Sequence, residues 1–206
     1  MHRLSANFVL GYHGCDAETA EDLLAGKTFR QSQNNYDWLG PGIYFWEANP
    51  QRGLDFAIEV AARKNTLIGR PAVVGAVIDL GLCLDLTTRG AIQMVSEAYK
   101  SLKETFDAAG KRLPENRPSL LLRRLDCAVI QHLHLILEQE NVSLDTVRGV
   151  FIEGSPIYPD SGFHEKTHVQ IAVKNSSCIK GVFRVPEEHL QRWVPSAVAD
   201  HQPSRK

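Results

Sequence analysis

Leu39-Gly40-Pro41-Gly42-Ile43-Tyr44-Phe45 is the stretch from which the fold is read, together with Tyr12-His13-Gly14 upstream of it. Each piece has the character of a tight turn feeding or ending a short strand. Pro41 fixes its own φ, and Gly40 and Gly42 supply free backbone angles. Ile43-Tyr44-Phe45 then continues as a β-branched and aromatic run suited to a pleated strand. Turns that set one His and one Tyr on neighbouring strand ends build a slot for a flat, polar ring.

Working outward, Phe8 to His13 predicts a first strand ending at Gly14. Asp16 is placed to cap a helix over 17–25 that Gly26 closes. Residues 28–39 are polar and read as a loop. Asn49-Pro50 opens a second helix running to Lys64, with Leu54, Ala57, Ile58 and Ala61 at helical spacing. Residues 72–80 are almost continuously apolar, as in a buried central strand, and 82–86 follow as a short one. The pattern then changes. Ile92, Val95, Tyr99, Leu102 and Phe106 form a helical stripe within 90–109, 111–118 is a Pro- and charge-rich loop, and 119–140 predicts a Leu-rich helix. Strands return at 149–154, 167–173 and 178–185. The expected class is α+β: a single domain over 1–195, a helical insertion at about 88–148, and a disordered tail at 196–206.

The 206 residues carry 23 Lys+Arg against 24 Asp+Glu, a formal net charge of −1. That balance argues against a large sequence-independent phosphate footprint. The four cysteines are scattered with no C-x-x-C pair. The first residues hold no apolar signal core, and no run reaches the length of a membrane span. Reduced thiols in a cytoplasmic protein, with no membrane contact, are the expectation. His132 and His134 are two apart on a helix and face different sides, and His164 and His168 have no Cys or Asp cluster beside them, so no metal is expected.

These motifs together resemble the poly(ADP-ribose) polymerase-like branch of the ADP-ribosyltransferase fold, whose signature is a His, a Tyr and a third polar residue on three separate strands. The family's His-Gly-Ser/Thr motif is matched by His13-Gly14-Cys15, which departs at the third position. Its Gly-x-Gly-Ile/Val-Tyr-Phe motif is matched by Gly40-Pro41-Gly42-Ile43-Tyr44-Phe45. A second aromatic on the following helix is matched by Phe56. The third residue opens a strand matched by Gln170-Ile171-Ala172-Val173, and Gln170 stands where the best-known members carry Glu. The resemblance covers roughly 8–80 and 149–185, and the helical block between has no counterpart.

The resemblance implies a split antiparallel sheet that binds NAD bent, with nicotinamide stacked on Tyr44 and Phe56 as the opposite wall. The Gly14 backbone would hold the carboxamide and His13 the adenosine-side ribose. Cleavage of the nicotinamide–ribose bond passes through an oxocarbenium-like state, so positioning and electrostatics carry the catalysis. The family's Glu stabilises that charge. Here the third residue is either Gln170, which offers a hydrogen bond without charge, or Glu165, which would bring a carboxylate from the acceptor-side loop. His168 shares a strand face with Gln170 and is placed to orient or deprotonate an acceptor. The implied activity is NAD-dependent mono-ADP-ribosyl transfer to a protein or nucleic acid, with no metal, in the manner of a bacterial or phage toxin or effector with a neutralising protein partner. The alternative is a catalytically weak or inactive module that binds NAD or ADP-ribose. Glu153, in Phe151-Ile152-Glu153-Gly154, reads as a strand-end turn residue with no role.

Overall fold

The computed structural model describes residues 8–64, 66–117 and 122–190. They form nine strands and four α-helices, a mixed α and β architecture around one seven-stranded sheet. The strands are β1 (Phe8–Asp16), β2 (Ile43–Glu47), β3 (Pro71–Asp79), β4 (Cys83–Asp85), β5 (Asn116–Arg117), β6 (Leu122–Arg123), β7 (Thr146–Phe151), β8 (His168–Val173) and β9 (Ile179–Arg184). The helices are α1 (Ala17–Leu24), α2 (Pro50–Ala61), α3 (Arg89–Ala108) and α4 (Arg124–Gln139). The main sheet has the order β4-β7-β8-β2-β1-β3-β9, antiparallel throughout except for the parallel β4–β7 pair, and β5 and β6 pair separately.

Local chemistry sets the element ends. Asp16 Oδ1 accepts from Glu18 N at the start of α1, Asn49 Oδ1 accepts from Arg52 N at the start of α2, and Thr88 Oγ1 accepts from Ala91 N at the start of α3. Each fills one of the orphan amides of a first turn. Gly26, at φ +94°, takes up the left-handed turn behind α1.

The two faces of the sheet are filled differently. Ile43, Phe45, Ala76, Ile78, Ile171 and Val173 form one core, and Cys15, Ala20, Leu23 and Val74 extend it under α1. On the other face, Ala91, Ala98 and Leu102 of α3 and Val129, Ile130 and Leu133 of α4 pack on Leu39, Val147 and Ala172. The helical block is thus a layer of the core. It leaves the sheet at β4 and returns beside it at β7, so its end is a strand pair and not an appended lobe.

Several boundaries differ from expectation: β1 runs on to Asp16 and α2 stops at Ala61, short of Lys64. The Leu-rich helix begins at Arg124, because Leu122 and Arg123 pair with Arg117 and Asn116 as a short ribbon. Strand β7 begins at Thr146, inside the expected insertion, where Thr146 Oγ1 donates to Leu80 O at 2.6 Å. The expected tail at 196–206 lies outside the described residues. Among those residues no helix is long and apolar enough to cross a membrane.

Candidate functional site

The sheet divides between β1 and β2. Their ladder holds only Gly11↔Glu47 and Tyr12↔Trp46. At the next position the backbone bond is replaced by a side chain: His13 Nδ1 lies 2.9 Å from Tyr44 O. A carbonyl only accepts, so Nδ1 carries the proton and Nε2 is left as an acceptor. Burial lowers the His13 pKa, partly offset by the bond to Tyr44 O, so the ring is neutral at neutral pH. Phe29 meets it in a T-shaped contact with ring centroids 5.3 Å apart, and Phe45 in a tilted one at 5.6 Å.

At this division lies a cavity of about 550 Å³, within the ~300–1,000 Å³ span of small-molecule sites. His13, Gly14, Tyr44, Phe56 and Gln170 all line it. They come from β1, β2, α2 and β8, and β8, β2 and β1 are consecutive in the sheet. Glu165 and His168 are not among the lining residues.

Each of the five has a local reason for its place. A Cβ at Gly14 would stand 2.1 Å from Gly53 O, so α2 lies directly on β1 there. Gly14 is therefore required by helix packing. The Tyr44 hydroxyl donates to Gly40 O at 2.8 Å and accepts from Leu39 N at 3.1 Å, tying the strand to the turn before it. Gly40, at φ +79°, sits where a Cβ would meet Ile130 at 2.9 Å, so α4 props the same turn. Phe56 packs on Trp46 with ring centroids 4.7 Å apart. Gln170 Oε1 accepts from Trp38 Nε1 at 2.6 Å. An indole N–H can only donate, so the amide oxygen is committed to Trp38 and the Gln170 NH₂ is what remains for a bound molecule.

Glu165 is exposed and turned into its own loop, where Oε2 accepts from Ser155 N at 3.2 Å. His168 is 5% exposed and lies behind the wall, with ring contacts to Phe151 and Trp46. Its Nδ1 donates to Lys166 O, and Nε2 is buried with no partner among the described residues. Burial, and secondarily Arg52, lowers its pKa against the effect of the Lys166 bond. Cys15, the departure in the first motif, faces the core, and burial pushes its thiol up to about 11.

Several lining residues were not singled out by the sequence reading. Trp38, Trp46, Arg52, Arg123 and Phe151 all face the cavity, and so does Glu153, which was expected to be a strand-end turn residue with no role. Trp46 had a signal, since it is two residues from Tyr44 on one strand and so shares its face. Arg52 is 6% exposed and its guanidinium stands 5.7 Å from the Trp46 ring centre. Its Nη2 meets Glu153 Oε2 at 2.8 Å and Glu59 Oε2 at 3.5 Å. Arg123 lies over Phe151 at 5.5 Å. Leu122 and Arg123 thus bring the helical block, which has no counterpart in the resemblance, into the cavity wall. Among the described residues no group of three or more His, Cys, Asp or Glu is arranged to hold a metal ion.

No family model matches the chain, and no solved structure matches it. An uncharacterized protein of Methanocaldococcus jannaschii is 47% identical over 36 residues, 18% of this chain. That match spans 17% of the archaeal protein's length.

Proposed function

We propose that the chain is an NAD-consuming mono-ADP-ribosyltransferase with the split-sheet fold of the poly(ADP-ribose) polymerase-like branch. The observation that carries this reading is that His13, Tyr44 and Gln170, the three positions of the resemblance, lie on adjacent strands around one cavity where the β1–β2 ladder is reduced to two pairs. Such a gap exposes main chain from two strands to a ligand while the cores on either side stay closed. NAD supplies an activated glycosidic bond, and the protein's part is to bind, orient and exclude water. His13 offers a neutral acceptor for a ribose hydroxyl. Gly14 brings bare backbone to the carboxamide. Tyr44 and Phe56 offer ring faces, Phe56 held in place by Trp46. The Gln170 NH₂ donates to an oxygen of the bound dinucleotide. Transfer is to a macromolecular acceptor, protein or nucleic acid.

The second reading, a module that binds NAD or ADP-ribose without turnover, is favoured by one observation: Gln170 is neutral and its oxygen is already committed to Trp38. Both readings are tested by incubating the purified protein with NAD labelled in the adenylate, alone and with whole-cell extract. The transferase reading expects nicotinamide release and label in protein or nucleic acid. Saturable binding of NAD or ADP-ribose with no release in either condition supports the module, and absence of binding to both NAD and ADP-ribose overturns both.

A further inference from the structure

We infer that Glu153 is the catalytic carboxylate of this cavity, receiving a ribose hydroxyl of the nicotinamide half of NAD and stabilising the positive charge that develops as the glycosidic bond breaks. The assignment rests on the NAD reading above. Glu153 lies just beyond β7, where Lys166 N donates to its carbonyl and continues the β7–β8 pairing past Phe151↔His168. Its side chain is only 10% exposed and lines the cavity. A carboxylate withdrawn this far from water is costly unless a counter-charge meets it. The fold supplies one in Arg52, itself 7% exposed, N-terminal on α2 and stacked over Trp46. A buried arginine is an expensive way to anchor a turn residue. It is an economical way to hold a charge in a fixed place inside a cavity.

The geometry leaves one oxygen for a ligand. Glu153 Oε2 is taken by Arg52, while Oε1 accepts no hydrogen bond among the described residues. Glu59, the neighbouring acid, is different: Lys166 Nζ holds its Oε1 at 2.8 Å, Arg52 approaches its Oε2, and its side chain is 30% exposed. The remaining candidates are worse placed. Glu165 does not reach the cavity, and Gln170 has only donors to offer. The charge that Gln170 lacks is therefore present one strand over, at Glu153.

The step balances without another reactant. The bond from C1′ to the pyridinium nitrogen breaks, its electron pair passes to that nitrogen, and neutral nicotinamide leaves. The acceptor's lone pair forms the new bond to C1′, and its proton passes to water. Glu153 stays ionised and forms no covalent bond. Its contribution is a fixed charge and one accepted hydrogen bond from the ribose.

The test measures NAD binding and nicotinamide release separately in Glu153→Gln, an isosteric change that still accepts from Arg52. NAD affinity should stay within about threefold, while release falls by ~10²-fold or more, the scale of losing a positioned electrostatic group. Adding Gln170→Glu should restore at least about tenfold of that loss, since a carboxylate then enters the same cavity from β8. Release at the parent rate, with NAD still bound, overturns the Glu153 assignment and leaves the NAD reading intact. A parent that binds no NAD removes both. If Glu153→Gln does not fold, Gln170→Glu in the parent decides. A gain under about twofold supports a carboxylate already in place, and a gain of tenfold or more shows that the parent had none.

Discussion

Strand β1 behaves as two different strands on its two edges. Toward β3 it keeps register through nine residue pairs, from Phe8↔Asp79 to Asp16↔Pro71. Toward β2 it keeps two. The β3 edge closes over cores of Val74, Ala76 and Ile78, each about 1% exposed or less. The β2 edge opens onto the cavity, and its missing ladder is replaced by one imidazole bond and by α2 laid against Gly14. A cavity made this way costs the fold a few backbone bonds. It also concentrates responsibility: on the β2 edge single residues do what a whole ladder does on the other.

That contrast breaks most sharply at Gly14. Gly14→Ala places a methyl 2.1 Å from Gly53 O, a backbone atom that cannot step aside without moving α2. The expected loss is about 3 kcal/mol, the upper part of the range for overpacked sites, with NAD binding lost as the α2 wall shifts. Gly181→Ala on β9 is the matched control, since its Cβ meets nothing within 4 Å. It should change stability by no more than about 0.5 kcal/mol. Urea unfolding of both variants checks the pair, and equal losses would show that the closeness of α2 to β1 is not what Gly14 serves.

A smaller effect is expected at Tyr44, the β2 side of the gap. Tyr44→Phe keeps the ring and removes the hydroxyl that bonds Leu39 N and Gly40 O. The cost should be about 1–2 kcal/mol of stability, with NAD affinity changed less than about threefold. Tyr44→Ala should lose the ring face as well, worth about 0.5–1.5 kcal/mol beyond its buried area, and weaken NAD and nicotinamide together. Titration calorimetry on the two variants separates the roles. If Phe and Ala weaken NAD equally, the hydroxyl and not the ring face is the contact.

The difference between the two edges also explains what was readable in the sequence. The strands that pair at length announce themselves: the apolar run of β3, the Tyr44 run of β2 and the strand expected at 167–173 all appear at or within a few residues of their observed positions, and so does the cap at Asp16. His13, Gly14 and Tyr44 stand out in the sequence because they sit in short motifs beside turns, while Phe56 and Gln170 stand out through the resemblance. What escapes is what depends on register between distant strands. Nothing local to Phe151-Ile152-Glu153 says that β7 pairs with β8 so as to bring Glu153 opposite Lys166. A helical Arg such as Arg52 looks like solvent-facing charge until α2 is docked. Trp38 reads as loop because its partner Gln170 is 132 positions away. Glu165 drew notice for its proximity in sequence to Gln170, yet a loop of that length has room to turn its carboxylate back on Ser155. The start of α4 was placed early because Leu122-Arg123 continue a Leu-rich pattern. A two-residue ribbon with 116–117 has no periodicity to betray it.

The smallest expected effect is a pH dependence localised at the gap. His13 is neutral because burial lowers its pKa below the ordinary value of 6.5. The unfolded chain therefore takes up a proton at a higher pH than the folded one does. In the window below about pH 7.5, and down to the lowered folded value, the unfolded state binds more protons, so stability falls as pH falls. The contribution is fully present above the unfolded pKa. At pH 6.5 the unfolded imidazole is half protonated while the buried one is less so, and the fold loses that difference. His134, lowered by burial to about 4, and His168 act in the same direction, so the parent's slope is a sum. His13→Asn isolates one member: Asn Nδ2 can donate to Tyr44 O as Nδ1 does, and it does not titrate. The variant should show a shallower loss of urea midpoint between pH 8 and pH 6.5 than the parent. An identical slope would mean that His13 is as accessible to protons in the fold as in the unfolded chain, and that the imidazole bridging β1 and β2 is not the neutral acceptor the cavity requires.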